Sequence, residues 1–272
     1  MTARNDDAGA PDAAGGREFD PASAALVLRN GCAAPSADVP VCSFSMFRRV
    51  LHSTLHAGGR VSALFALPAE DENFMLFAVL AVDATGLLYL LSTPLSRTYP
   101  SLSRSMPQCF LFERVMHEQY GIVPERHPRL LPVRFSRPDG PAVGDMDFYR
   151  VDGEETHEVA VGPVHAGIIE CGHFRFQCLG EEVMHLEISL GYHHRGVEAL
   201  LAGGPDKRSA HLVEAVSGDA TVAHAWTWWG ALEALAGREI SPRGKMLRSL
   251  ALELERLANH TGDLGAMAGD IG

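Results

Sequence analysis

An α+β fold is predicted for this chain by three patterns. Apolar runs with a period of two, bounded by turn residues, occur at 61–67, 74–82 and 87–92, the spacing of half-buried strands. Two further runs, 166–176 and 183–190, are joined by Leu179-Gly180-Glu181-Glu182 and predict a β-hairpin. Beyond that hairpin the period lengthens to three and four residues, which predicts helices. The expected architecture is an N-terminal α+β module, then a β-hairpin and the start of a helical bundle.

A tail is expected over 1–37, because residues 1–20 are rich in Ala, Gly, Asp and Pro and bury too little apolar surface to offset ordering entropy. The α+β module is expected over 38–135. It holds a short helix at 47–51, a strand at 61–67, a hairpin of 74–82 and 87–92 around Asp83-Ala84-Thr85-Gly86, and helical stretches at 101–109 and 112–120. Pro, Gly and Asp crowd the region after Pro132 and mark a linker, placed at 136–157.

The second module is expected over 158–272. Its hairpin is followed by Gly191-Tyr192-His193-His194-Arg195-Gly196, which turns the chain into a helix. A helical run over 207–236 breaks near Gly218. Ser241 then caps a last helix, with Pro242 in its first turn. Leu247, Leu250, Leu254, Leu257 and Ala258 recur at helical spacing, with Glu253, Glu255 and Arg256 on other faces, so this helix is amphipathic.

The composition narrows the function. The chain has 272 residues, 46% of them hydrophobic and 21% charged, as in a globular protein. A formal net charge of −11 argues against nucleic-acid binding. Cys32, Cys42, Cys109, Cys171 and Cys178 form no C-x-x-C pair, and their odd number fits free thiols. The most apolar stretch, 74–91, is interrupted by Asp83 and Gly86 and is too short to span a bilayer, so membrane association is expected only through partner subunits.

Chemically capable side chains concentrate in 161–198, which packs five histidines, two arginines and two cysteines among glycine-rich turns. The blocks are Gly162-Pro163-Val164-His165-Ala166-Gly167, then Glu170, then Gly172-His173-Phe174-Arg175-Phe176, then Leu190-Gly191-Tyr192 and His194-Arg195-Gly196-Val197-Glu198. In this order they resemble the large subunit of energy-converting nickel–iron hydrogenases and the homologous quinone-facing subunit of respiratory complex I. Phe112-Glu113-Arg114, Glu118-Gln119-Tyr120-Gly121-Ile122 and His127-Pro128 resemble the end of the small complex I subunit that pairs with it, fused here in front. The family often has Asp where Glu118 stands. Glu113 and Arg114 are expected in a structural or docking role; a surface ion pair between them would contribute little.

The resemblance implies a fold whose bundle continues for roughly as many residues again, so 158–272 corresponds to the N-terminal part of the large subunit, truncated. It also implies where metal would sit. A nickel–iron centre takes thiolates from two C-x-x-C pairs, and the first pair falls at Ser217 and Ala220, which cannot replace thiolate. No nickel site is therefore expected. For a quinone pocket, Gly-Pro-x-His persists as His165. Ile169 stands at the later turn histidine and Gly218 at the tyrosine position. His165, Arg195 and His224 are candidates to line a quinone or active site, and Glu170 is the candidate proton relay, tuned by a partly apolar turn. His173, His193 and His194 are expected to satisfy buried backbone groups. Arg175 and Arg195 are candidates to meet a partner's carboxylates or approach its iron–sulfur cluster. Trp226, Trp228 and Trp229 are expected in a core or an interface.

The implied function is that of an electron-transfer subunit of a complex I-like, NADH:quinone oxidoreductase, or hydrogenase-like membrane-associated complex. The alternative is a non-catalytic assembly scaffold of such a complex. No cofactor is expected on this chain. An iron–sulfur cluster belongs to the small partner subunit, quinone is possible, and NAD binds another subunit, since no G-x-G-x-x-G loop is present. The partners implied are that iron–sulfur subunit and membrane subunits, at the cytoplasmic side of the inner or cell membrane.

Overall fold

The computed structural model describes residues 19–70, 73–135, 140, 142–145, 147–164 and 171–272. In the first module a four-stranded antiparallel sheet has the order β1-β4-β3-β2, built from β1 (Leu26–Arg29), β2 (Arg60–Pro68), β3 (Phe74–Val82) and β4 (Leu87–Leu95). Alternate β3 residues Leu76, Ala78 and Leu80 are buried, so a period of two in sequence becomes one apolar face. Helix α1 (Phe44–His56) lays Phe47, Val50, Leu51 and Thr54 on that face, and the Ser43 hydroxyl caps it by accepting from the Met46 amide. Helix α2 (Phe110–Tyr120) stops at Gly121, whose φ of 71° a side chain would strain. The core joins these helices to Leu91, Leu95, Tyr99, Leu102, Met106 and Ile122.

Two expectations are corrected in this module. The tail does not extend to residue 37: Leu26–Arg29 forms β1, with Leu26 opposite Leu90 and Arg29 opposite Leu87. A strand of this length at a sheet edge, flanked by Pro, Gly and Ser, is too short to show a period of its own. The stretch 101–109 is not a helix but a turn closed by a short 3-10 segment, Pro107–Cys109. Short parallel strands β5 (Thr98–Pro100) and β6 (Val123–Glu125) bracket α2.

In the second module the expected hairpin is β8 (Gly172–Leu179) and β9 (Glu182–Ser189), turning at Gly180 with φ 59°. It carries a third antiparallel strand, β7 (Thr156–Val164), giving the order β7-β8-β9. That strand begins inside the expected linker, and its polar start, Thr156-His157-Glu158, masks the period. The Gly162-Pro163 peptide is cis. The helical expectations hold, with the break at Gly218: α3 (Val197–Leu201), α4 (Ser209–Glu214), α5 (Thr221–Leu235) and α6 (Pro242–Ile271). Ser241 caps α6 as expected, its hydroxyl accepting from the Gly244 amide.

Candidate functional site

The two modules meet through a strap of backbone, 129–134, held by charged side chains from both. Arg114 on α2 donates from Nε to the Leu131 carbonyl at 2.6 Å and from Nη2 to the Pro132 carbonyl at 2.7 Å. Burial, then the nearby Arg129 guanidinium, lowers its pKa below the usual arginine value. Glu118, one helical turn on, accepts from the Val133 and Arg134 amides, both at 2.9 Å. A single helix face thus reads both polarities of the strap's backbone. From the strap, Arg129 pairs with Glu187 on β9, and Arg134 Nη2 reaches Glu198 Oε1 on α3 at 2.9 Å. The buried Glu187 also accepts from the Tyr149 amide at 2.9 Å.

This overturns the surface-pair alternative for Glu113 and Arg114. They do not pair with each other. Glu113 is fully buried and accepts from the Leu102 amide at 2.7 Å, the Ser103 amide at 3.1 Å and the Ser101 hydroxyl at 2.8 Å, with the Ser103 hydroxyl as a further donor. It organises the turn where a helix was expected, because its carboxylate competes for the amides that a helix would use. The helical spacing of Glu113, Arg114 and Glu118 was visible in the sequence. Their acceptors and donors lie ten or more residues away and were not.

The sheet of the second module has two unlike faces. On one, His173 faces Ser189 and Arg175 faces Glu187 across the ladder. This face packs under Phe148, which lies 5.2 Å from the His173 ring and 4.3 Å from the Arg175 guanidinium, and Tyr149, 4.3 Å from the His185 ring. Arg175 pairs with Glu158 at 3.2 Å, and Gln177 donates to the same carboxylate at 2.7 Å. The expected backbone role of His173 is met: its Nδ1 lies 3.2 Å from the Gly162 carbonyl oxygen. On the other face Val161, Phe174 and Ile188 form one cross-strand row and Val159, Phe176 and Leu186 the next. Val159, Val161, Leu186 and Ile188 are exposed there.

The turn after β9 touches the strap. Gly191 has φ 103°, and a Cβ there would stand 2.7 Å from the Val133 carbonyl oxygen, so glycine is required on both counts. A cleft of about 330 Å³ opens beside it, lined by Val133, Arg134, His193, His194, Arg195 and Val216 among others. Arg195 crosses it and donates to the Val216 carbonyl at 2.7 Å, next to Ser217. The cleft therefore holds Arg195 and ends at Val216, one residue before the Ser217–Ala220 stretch.

Gly218–Ala220 is a 3-10 turn leading into α5. The first amides of α5, Val222 and Ala223, donate to the Glu255 carboxylate from α6 at 2.6 and 3.2 Å. A carboxylate at a helix start satisfies orphan amides and opposes the helix dipole. Ser217 and Ala220 offer a hydroxyl and a methyl group, which do not fit a thiolate-bound nickel–iron centre. Among the described residues no three His, Cys, Asp or Glu side chains gather as a metal site. His224 is half-buried on α5 and is not among the residues lining the Arg195 cleft. Trp226 and Trp228 are half-buried and Trp229 exposed, so the tryptophans lie at the surface of α5 and not in a closed core. His165 and Glu170 lie outside the described residues.

The homologues of this chain are subunits of hydrogenases and of NADH-quinone oxidoreductases. Hydrogenase-4 component G of Escherichia coli K12 is 28% identical over 198 residues, covering 65% of this chain and 36% of that protein. The carbon monoxide-induced hydrogenase of Rhodospirillum rubrum is 32% identical over 117 residues, covering 43% of this chain and 32% of that protein. A C/D-type NADH-quinone oxidoreductase protein of Cereibacter sphaeroides is 29% identical over 176 residues, covering 61% and 30%. The chain spans about a third of the length of these curated relatives. No family model matches it. A match over 65% of the chain is longer than either module taken with the stretch between them, so it includes residues of both.

Proposed function

We propose that this chain is an electron-transfer subunit of a complex I-like or hydrogenase-like membrane-associated oxidoreductase. The observation that carries the reading is similarity to hydrogenase and NADH-quinone oxidoreductase subunits across both modules. In this reading the open apolar face of the β7-β8-β9 sheet meets an iron–sulfur small subunit, which holds the cluster and delivers electrons. Membrane subunits complete the complex at the cytoplasmic side of the membrane. No helix among the described residues is long and apolar enough to cross a bilayer, so contact with the membrane runs through those partners. The chain holds no nickel–iron centre of its own, because Ser217 and Ala220 stand at the thiolate positions. Quinone in this reading meets the cleft beside Arg195, with His165 and Glu170 as the further candidates the sequence supplies, while NAD binds another subunit.

Two substitutions favour a second reading, a non-catalytic scaffold: Gly218 at the expected tyrosine and Ile169 at the expected histidine. One experiment separates the two. The chain is tagged in its native complex, the proteins that purify with it are identified, and donor-to-quinone electron transfer is measured with and without it. On the electron-transfer reading it purifies together with an iron–sulfur subunit, and turnover stops in its absence even when the remaining subunits assemble. A scaffold is needed for assembly but leaves the turnover of pre-assembled complex unchanged. Failure to purify with any iron–sulfur subunit rejects both.

A further inference from the structure

Helix α1 sorts its residues by chemistry. Phe47, Val50, Leu51 and Thr54 enter the core of the first module. The opposite face carries Arg48, Arg49, His52 and His56, all exposed, so a basic side chain recurs at every turn over about 12 Å of helix axis. These four, with the hydroxyls of Ser45 and Ser53, line a cleft of about 920 Å³ that Phe19, Ser105 and Met106 complete. No carboxylate is among its lining residues. Arg60, Arg129, Arg134, Arg175, Arg248 and Arg256 each find an acidic partner, but Arg48, Arg49, His52 and His56 enter no ion pair among the described residues. The chain carries a formal net charge of −11, so acidic side chains are abundant. Among the described residues, folding has brought none of them to this cleft.

The donors in the cleft suit a phosphate. Guanidinium forks match phosphate oxygens in pairs. The Arg49 guanidinium lies 4.2 Å over the Phe19 ring, a contact that steadies its fork at the cleft. His52 and His56 stack with ring centroids 6.2 Å apart and planes 10° from parallel. Stacking engages the ring faces and leaves the edges, which donate whether or not the ring is protonated. We propose that this cleft binds a soluble compound bearing two or more phosphate groups. The volume falls within the range of organic-ligand pockets, about 300–1,000 Å³, and the basic row is longer than one phosphate. A lipid surface fits less well, because α1 exposes no large apolar side chain to enter a bilayer. An acidic protein segment would find no apolar anchor site on this helix face either. Every lining residue lies within 19–106, so the proposal rests neither on the second module nor on the electron-transfer reading.

The test titrates pyrophosphate into the full chain by calorimetry at low ionic strength, with citrate as an anion of similar charge. The expected result is one saturable site that takes pyrophosphate at least tenfold more tightly than citrate. Arg48→Gln combined with His52→Gln weakens pyrophosphate binding at least tenfold at an unchanged melting temperature, since both side chains are exposed. Arg243→Gln combined with Lys245→Gln removes two charges from exposed positions on α6 and leaves the binding unchanged. If the Arg48 and His52 double variant melts lower, Arg48→Gln alone decides, with a loss of at least threefold expected. Absence of saturable pyrophosphate binding overturns the proposal, as does equal binding of citrate or an equal loss in the α6 control, which would mark general attraction of anions. Phosphatidylglycerol vesicles and a hexaglutamate peptide are the remaining arms. Binding of either that exceeds pyrophosphate and is lost with Arg48 and His52 overturns it too, and makes the α1 face a docking surface for a membrane or for an acidic protein segment.

Discussion

Replacing Glu113 by Gln removes one charge from the middle of the first module without changing its size. The carboxylate accepts from two amides and two hydroxyls, and it is fully buried. A Gln carbonyl placed at the Oε2 site keeps Ser101, Ser103 Oγ and the Ser103 amide as donors. Its NH₂ then faces the Leu102 amide, now 2.7 Å from the other oxygen, donor against donor. One hydrogen bond to a charged acceptor is lost, worth about 1.5–3 kcal/mol. The remaining bonds drop from charge-assisted to neutral strength, roughly half. The expected loss is about 3 kcal/mol of stability, measured as a lower urea midpoint at unchanged slope. Two further readouts locate the effect. Hydrogen exchange at the Leu102 amide should accelerate. The Cys109 thiol, pushed up to about 12 by burial and then by the Glu113 charge, should titrate lower. A midpoint shift equivalent to less than about 0.5 kcal/mol, with Leu102 exchange unchanged, would refute the reasoning.

Other outcomes follow from the structure and from the proposed function. Cys109 and Tyr99 both have pKa values raised by burial and by Glu113, from 9.0 and 10.0 respectively. Above the unfolded thiol value the unfolded chain gives up a proton that the folded chain keeps. Stability should therefore fall between about pH 9 and 12, by about 1.4 kcal/mol per pH unit per group, and Cys109→Ala should shallow that fall in pH-dependent denaturation. Gly191→Ala should cost about 1–3 kcal/mol, because the new methyl meets the Val133 carbonyl; thermal melting checks it, and an unchanged melting temperature contradicts the contact. Purified protein should carry no nickel, which elemental analysis finding about one nickel per chain would contradict. On the proposed electron-transfer reading, Glu170→Gln in the assembled complex should lower turnover by roughly 10²-fold or more with assembly unchanged, whereas full turnover removes the proton-relay role.

Periodicity and punctuation carried the local structure. The strands at 61–67, 74–82 and 87–92, the hairpin around Gly180, and the Ser241–Pro242 helix start are all written in residues close together in the chain, where apolar spacing and backbone-specific residues act directly. The relation to hydrogenase and complex I subunits was equally legible, since it rests on motifs in order. Pairing across the chain decided the rest. Leu26–Arg29 becomes a strand only because β4 offers an open edge, and 101–109 becomes a turn only because Glu113 takes its amides. Glu113, Arg114 and Glu118 stand on one helix and the spacing puts Arg114 and Glu118 on the same face, yet that pattern does not say that Glu113 holds a buried turn while the other two grip a strap joining the modules. Likewise the leucines of α6 announce an amphipathic helix. Which side faces α5 was settled by Arg248, Glu255 and Asn259 finding charged and backbone partners there, and that left the leucines outside. Burial patterns follow from short-range spacing, but the choice of partner depends on which groups tertiary folding brings within hydrogen-bond reach.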